Sequence, residues 1–185
     1  MKILRNKELR KEEDFKYNGY IFDGCKFNKD EWKNGSFYDC TFSNCTFMGT
    51  IFRRVGFERC SFQLCHLQDT NFSLAPEMYQ NTFYGCSICD TYMTSLNLRY
   101  MSFSHCELSN LDFNHSNIYC CEFTDTAIDT CSFIDTNIIN TELPIGNVFL
   151  HLKGGMVHIS PTTISHSSVP KKVLLQAIKT LESKL

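Results

Sequence analysis

The chain has 185 residues, 43% of them apolar and 21% charged, with a formal net charge of −2. This is the size and composition of one soluble globular domain, and no apolar run is long enough to span a membrane. The opening Met1-Lys-Ile-Leu-Arg-Asn6 lacks the hydrophobic stretch of a secretory signal, so the expected compartment is the cytoplasm.

Residues 1–16 read as an N-terminal cap, and from residue 17 the chain is a repeat. A bulky apolar side chain returns at every fifth position from Phe22 through Phe27, Trp32, Phe37 and onward to Phe72. After a slip of one residue at Leu74-Ala75-Pro76 the beat resumes at Met78 and runs to Val148, giving twenty-six repeats. A period of five suits neither regular element. In a helix five residues advance about 500°, and in a straight strand an odd spacing alternates faces. The chain must therefore bend between repeats. Two positions before the large residue the side chain is often Cys or Thr, as at Cys25, Cys45, Thr50, Cys65, Thr70, Cys86 and Cys106. Residues two apart share one side of an extended segment, so each repeat reads as three extended residues with two side chains inward, then a two-residue corner. Gly, Asn, Asp, Ser and Thr crowd those corners, as turn chemistry requires.

Runs such as Cys40-Thr-Phe-Ser-Asn44, Cys45-Thr-Phe-Met-Gly49 and Cys60-Ser-Phe-Gln-Leu64 resemble the pentapeptide-repeat family over residues 17–148. The resemblance implies an all-β fold, a right-handed, quadrilateral parallel β-helix with four repeats per coil. This chain places Cys, Thr and Phe where the family favours Ala and Leu. About six and a half coils spaced at 4.8 Å would make a rod of roughly 30 Å. Counting four repeats per coil across the slip, one wall stacks Phe22, Phe42, Phe62, Phe83, Phe103 and Phe123. Its neighbour stacks Phe27, Phe47, Leu67, Ile88, Leu108 and Ile128.

Past the repeats, residues 149–169 form a closing segment and linker. Within it, residues 149–159 alternate apolar and polar side chains around Gly154-Gly155, a hairpin-like pattern. Pro170 can open a C-terminal α-helix over residues 170–185. Leu174, Ile178, Leu181 and Leu185 share one face of that helix, which either caps the coil or pairs two chains into a homodimer, the favoured reading.

Nine of the eleven cysteines, all but Cys89 and Cys120, fall in the small inward slot, where a free thiol packs as a small hydrophobe. Their five-residue spacing matches no zinc or redox motif, no cofactor is implied, and the scattered histidines have no regular spacing to a nucleophile. An enzyme is not expected. Function is left to the outer surface, where charge is uneven. Residues 82–148 carry Asp90, Glu107, Asp112, Glu122, Asp125, Asp129, Asp135 and Glu142 against Arg99 alone, whereas residues 149–185 carry five lysines against Glu182. Seven net negative charges over about 15 Å approach the charge density of duplex DNA. Such a field could meet a basic groove built for DNA, or could only keep the rod soluble.

Within the family, a group of quinolone-resistance and microcin-immunity proteins is similar in layout, a tower followed by a C-terminal helix. That resemblance implies binding to DNA gyrase or topoisomerase IV through an acidic, DNA-like surface, without direct nucleic-acid binding. The expectation is a non-catalytic binding protein with those eight acids as contacts. The alternatives are an interaction scaffold with an unrelated partner, or an inhibitor of a host nuclease.

Overall fold

A computed structural model describes residues 2–76, 78–133, 135–139, 141 and, in the main chain, 158–159. The five-residue beat folds into a solenoid of short parallel strands arranged in three sheets. The first sheet begins at Lys2–Arg5 and runs through Tyr20–Asp23, Thr41–Ser43, Ser61–Gln63, Thr82–Tyr84 and Ser102–Ser104 to Glu122–Thr124. The second begins at Glu8–Leu9 and ends at Ala127–Asp129, and the third runs from Lys16–Asn18 to His158–Ile159. Between the second and third sheets the chain is held by single parallel bridges, Ile51 to Asn71 to Tyr92 to Asp112 to Ser132. The segment read as an N-terminal cap is itself wound as a coil, since Lys2–Arg5 pairs in parallel with Tyr20–Asp23.

Register follows the columns expected from the sequence. Phe42 pairs with Phe62, Phe62 with Phe83 and Phe83 with Phe103, so the slip adds its one residue between Phe62 and Phe83. The extra residue is absorbed where Ala75 turns back to donate its N–H to the Phe72 carbonyl. Stacked rings fill the interior. Successive centroids from Phe22 to Phe123 lie 4.9, 4.7, 4.5, 4.9 and 5.0 Å apart, with planes within 13° of parallel. That distance is the strand spacing itself, inside the range aromatic pairs favour.

Most bends are made by one residue with positive φ, two places after the large residue. Between the first and second sheets this column contains Asn6, Gly24, Asn44, Leu64, Gly85, His105 and Asp125. Three further columns turn the remaining corners, for example Asp39, Arg59, Gln80, Tyr100 and Cys120 between the third sheet and the first. Asn, Asp and Gly enter this left-handed region at low cost, whereas Leu64, Tyr100 and Thr130 occupy it against steric preference. At the N-terminal end Phe15 seals the core by lying over Gly35, where an added Cβ would come within 2.3 Å of its ring.

The small inward slot has a role beyond size. Cys45 donates its thiol to the carbonyl of Phe22 at 3.3 Å, Cys65 to Phe42 at 3.3 Å and Cys86 to Phe62 at 3.4 Å. Thr70, Thr126, Thr136 and Ser116 make the same bond to Phe47, Phe103, Phe113 and Met93 at 2.8–3.2 Å. These slot residues are thus donors that reach a main-chain oxygen one coil earlier, which removes the penalty of burying a hydroxyl and gives a thiol a partner. All nine slot cysteines are buried and unoxidised, while Cys89 and Cys120 are half-exposed. Burial pushes the Cys121 and Cys131 thiols up to about 11. The Cys40 thiol of the preceding coil and then burial raise Cys60, so Cys60, Cys121 and Cys131 stay protonated and able to donate.

The C-terminal helix of residues 170–185, with Leu174, Ile178, Leu181 and Leu185, and most of the closing segment lie outside the described residues, as does Glu142.

Candidate functional site

With the large and small columns both turned inward, the outward positions of each strand and the corners carry whatever the molecule shows to others. In the N-terminal half several of the acids at those positions are paired with bases. Arg59 grips Asp39 with two nitrogens at 2.8 and 3.0 Å, lies 4.1 Å over the Tyr38 ring, and reaches Glu58 at 3.4 Å. Glu31 is held by Arg53 and by Lys33 at 3.2 Å, and Asp23 by Arg5 at 3.4 Å. The Arg59 guanidinium keeps the Asp39 carboxyl below its usual range, and Arg53 followed by Lys33 does so for Glu31.

The C-terminal half differs. Glu122 projects from the first sheet, Asp125 stands on the corner beside it, and Glu107 and Asp129 project from the second sheet. All four are exposed. Among the described residues no lysine or arginine pairs with any of them, and the His105 imidazole lies 3.9 Å from Asp125. Asp90 closes the far corner of the second sheet, where its carboxylate accepts the Asn110 amide at 2.7 Å.

Two of the acids singled out from the sequence stand further round. Asp112 lies in the bridge column, half-buried, and accepts the Asn114 main-chain N–H at 2.9 Å. Asp135 occupies the corner beyond it, 3.6 Å from His115. The structure therefore spreads Glu107, Glu122, Asp125 and Asp129 over the first sheet, the second sheet and the corner between them, with Asp90 at the far corner of the second, and sets Asp112 and Asp135 on the next side. The third sheet is the exception in this half: its outward residues there are Asn97, Arg99, Asn117, Tyr119, Asn137 and Ile139, with no carboxylate.

Sequence reasoning missed three features. Asn81 is fully buried in a small slot, where it accepts the Cys60 N–H at 2.8 Å and donates to the Phe57 carbonyl at 2.9 Å. The two histidine–aspartate pairs were read as isolated surface groups. Tyr79, Tyr100 and Tyr119 form an edge-to-face series, with centroids 5.7 and 5.8 Å apart. A spacing of about one coil between outward residues is the signal that would have found the last two. No cluster of three metal-ligating side chains forms among the described residues.

No family model matches the chain, and no curated protein matches it. Solved structures do resemble it. One is full-length QnrB1, a plasmid-mediated fluoroquinolone resistance protein, at 14% identity and a TM-score of 0.44, covering 96% of each chain. HetL, a pentapeptide repeat protein involved in heterocyst differentiation regulation from the cyanobacterium Nostoc sp. strain PCC 7120, matches at 10% identity and 0.45, over 88% of this chain and 92% of that one. A pentapeptide repeat protein of the Arabidopsis thaliana thylakoid lumen matches at 10% identity and 0.27, over 76% and 70%. The fold itself, short parallel strands wound on the chain's own five-residue beat, is the solenoid that the pentapeptide pattern leads one to expect.

Proposed function

We propose that the chain is a non-catalytic binding protein whose acidic edge occupies a basic, DNA-binding groove of a DNA-handling enzyme, with a type II topoisomerase such as DNA gyrase as the partner. The observation that carries this reading is the contrast between the two halves. Toward the N-terminus Glu31, Asp39 and Asp23 are neutralised by arginine or lysine, whereas Glu107, Glu122, Asp125 and Asp129 face solvent with no such partner among the described residues. Exposed carboxylates on a rod with strand spacing near 4.8 Å supply a dense, ordered line of negative charge that steers toward cationic grooves and weakens with salt. The likeness to QnrB1 is the reason to try gyrase first. The winding is inferred to be four-sided, from four columns of positive-φ corners, and right-handed, from the general preference of parallel crossovers.

The test is supercoiling by purified gyrase with and without a fluoroquinolone, using the parent chain and a Glu107→Gln, Glu122→Gln, Asp125→Asn, Asp129→Asn variant. The parent should change supercoiling or drug sensitivity and the variant should not. A parent without effect removes gyrase as the partner, and a variant as active as the parent removes the acidic edge as the contact.

A further inference from the structure

The outer face of the second sheet changes sign along its length. Seven strands stack there, and their outward residues form two columns. One passes from Lys26 through Thr46, His66 and Ser87 to Glu107. The other begins at Arg10, next to Leu9, and Asn28, and ends at Ser109 and Asp129. The first two strands thus bring Arg10, Lys26 and, at the corner, Lys29, with Glu8 the one carboxylate on those strands. The last two carry Glu107 and Asp129 and no base. All of these charged groups are exposed, and Arg10, Lys26 and Lys29 make no ion pair among the described residues.

A two-fold axis in the contact plane can lay this face on its own copy in two ways. With the axis along the stack, each row meets the same row, so Lys26 and Lys29 gather with their counterparts and Glu107 and Asp129 with theirs. Only Arg10, against Glu8, then meets an opposite charge. With the axis along the strands the rods run antiparallel, columns are kept, and row order reverses about the fourth strand, His66–Gln68. Lys26 then lies opposite Glu107, Arg10 opposite Asp129, Met48 opposite Cys89, and Glu8 opposite Ala127. Lys29 leans over Gly49, where an added Cβ would meet its Cγ at 3.4 Å, and Gly49 lies opposite Asp90. The fourth row meets itself. There Leu64, 59% exposed at one corner, comes to the axis, while Asp69 at the other corner makes the one carboxylate pair of like charge, at the solvated rim.

We propose that two copies of this chain pair antiparallel through the outer faces of their second sheets, with Lys26 against Glu107 and Arg10 against Asp129, each contact made twice by symmetry. Six strand spacings make the face about 29 Å long, and four residues make it about 13 Å wide. So small an interface gives weak, reversible and salt-sensitive pairing. It covers Glu107 and Asp129 and leaves Glu122 open, so a second copy and a topoisomerase groove compete for this face. The pairing itself does not depend on gyrase being the partner, and the supercoiling assay can fail without touching it.

Sedimentation equilibrium of the full chain tests it, with Arg10→Glu/Lys26→Glu and Glu107→Lys/Asp129→Lys as variants. All four positions are exposed, so both variants should keep the parent's circular dichroism and thermal midpoint. The parent should associate at low salt, with a dissociation constant that rises about tenfold from about 50 to about 500 mM NaCl. Each variant alone should associate at least about tenfold more weakly, because its face is then largely of one sign, and an equimolar mixture of the two should pair at least as tightly as the parent. A parent that stays monomeric at low salt and about 1 mM chain overturns the proposal. Association that the reversals leave unchanged overturns it too, by assigning the pairing to another surface. Variants that fail to rescue each other also overturn it, since their losses then owe nothing to matched charge.

Discussion

Replacing Phe62 by Ala tests the ring column directly. Phe62 is fully buried, with Phe42 at 4.7 Å on one side and Phe83 at 4.5 Å on the other. Those neighbours are fixed by strand pairing, Phe62 to Phe42 and Phe62 to Phe83, so they cannot collapse into the space a missing ring leaves. A buried Phe→Ala change costs about 3–5 kcal/mol, and each lost ring pair carries about 0.5–1.5 kcal/mol of that beyond area burial. The expected loss is at the upper end, about 4–5 kcal/mol. Phe123, half-buried and stacked only on Phe103 at 5.0 Å among the described rings, should lose about half as much. Equilibrium unfolding in urea, followed by circular dichroism with the slope checked for an unchanged cooperative unit, measures both. A Phe62→Ala loss under about 1 kcal/mol, or equal losses at the two positions, would refute the continuous stack as the main source of cohesion.

Cys65→Thr should unfold within about 1 kcal/mol of the parent, because Thr70 already makes the same carbonyl bond on a neighbouring wall. Cys65→Ala, which leaves the Phe42 carbonyl without that donor, should cost about 1–3 kcal/mol by the same urea measurement. Leu64→Asn should stabilise by about 1 kcal/mol, since Leu64 is 59% exposed at φ 52° and asparagine accepts that conformation more readily; a lower thermal midpoint would contradict it. Asp39 ionises more readily in the fold than its ordinary value of 3.8 because of Arg59, so its contribution is present above that pH and is lost as pH falls through the depressed folded value. Arg59→Gln should therefore flatten the acid side of the stability profile, and parallel profiles for parent and variant below about pH 4 would show that the pair contributes nothing.

The ring columns were legible because a period of five, carried across one slip, leaves a single way to bring Phe42, Phe62 and Phe83 into register. The thiols were placed correctly and understood only in part. A Cys at the inward slot reads as a small apolar group, and its bond to a carbonyl one coil earlier, as from Cys86 to Phe62, becomes visible only when the coils are stacked. Asn81 escaped notice for the same reason, since a buried amide is acceptable only where a donor and an acceptor meet it, and both come from other residues of the coil wall. For the acidic surface, composition gave the sign of the charge. It did not give the pairing: nothing in the order of residues says that Arg59 lands on Asp39 while Glu107 and Asp129 face water. Corner identities such as Leu64 and Tyr100 were hidden too, because turn chemistry predicts Asn or Gly where the fold tolerates bulk.

Most side-chain donors in the small slots point one way. Cys45, Cys65, Cys86, Cys106, Thr126 and Thr136 each donate toward the N-terminus, to an oxygen that exists only once the preceding loop of chain has closed. Every new layer is therefore stitched by these side chains to the one before it, while main-chain N–H groups such as that of Cys60 are met in turn by the layer after it, at Asn81. A chain emerging from the ribosome meets that order as it is made, so the rod can crystallise layer by layer from its Phe15-sealed end during synthesis, with each completed floor serving as the template for the next.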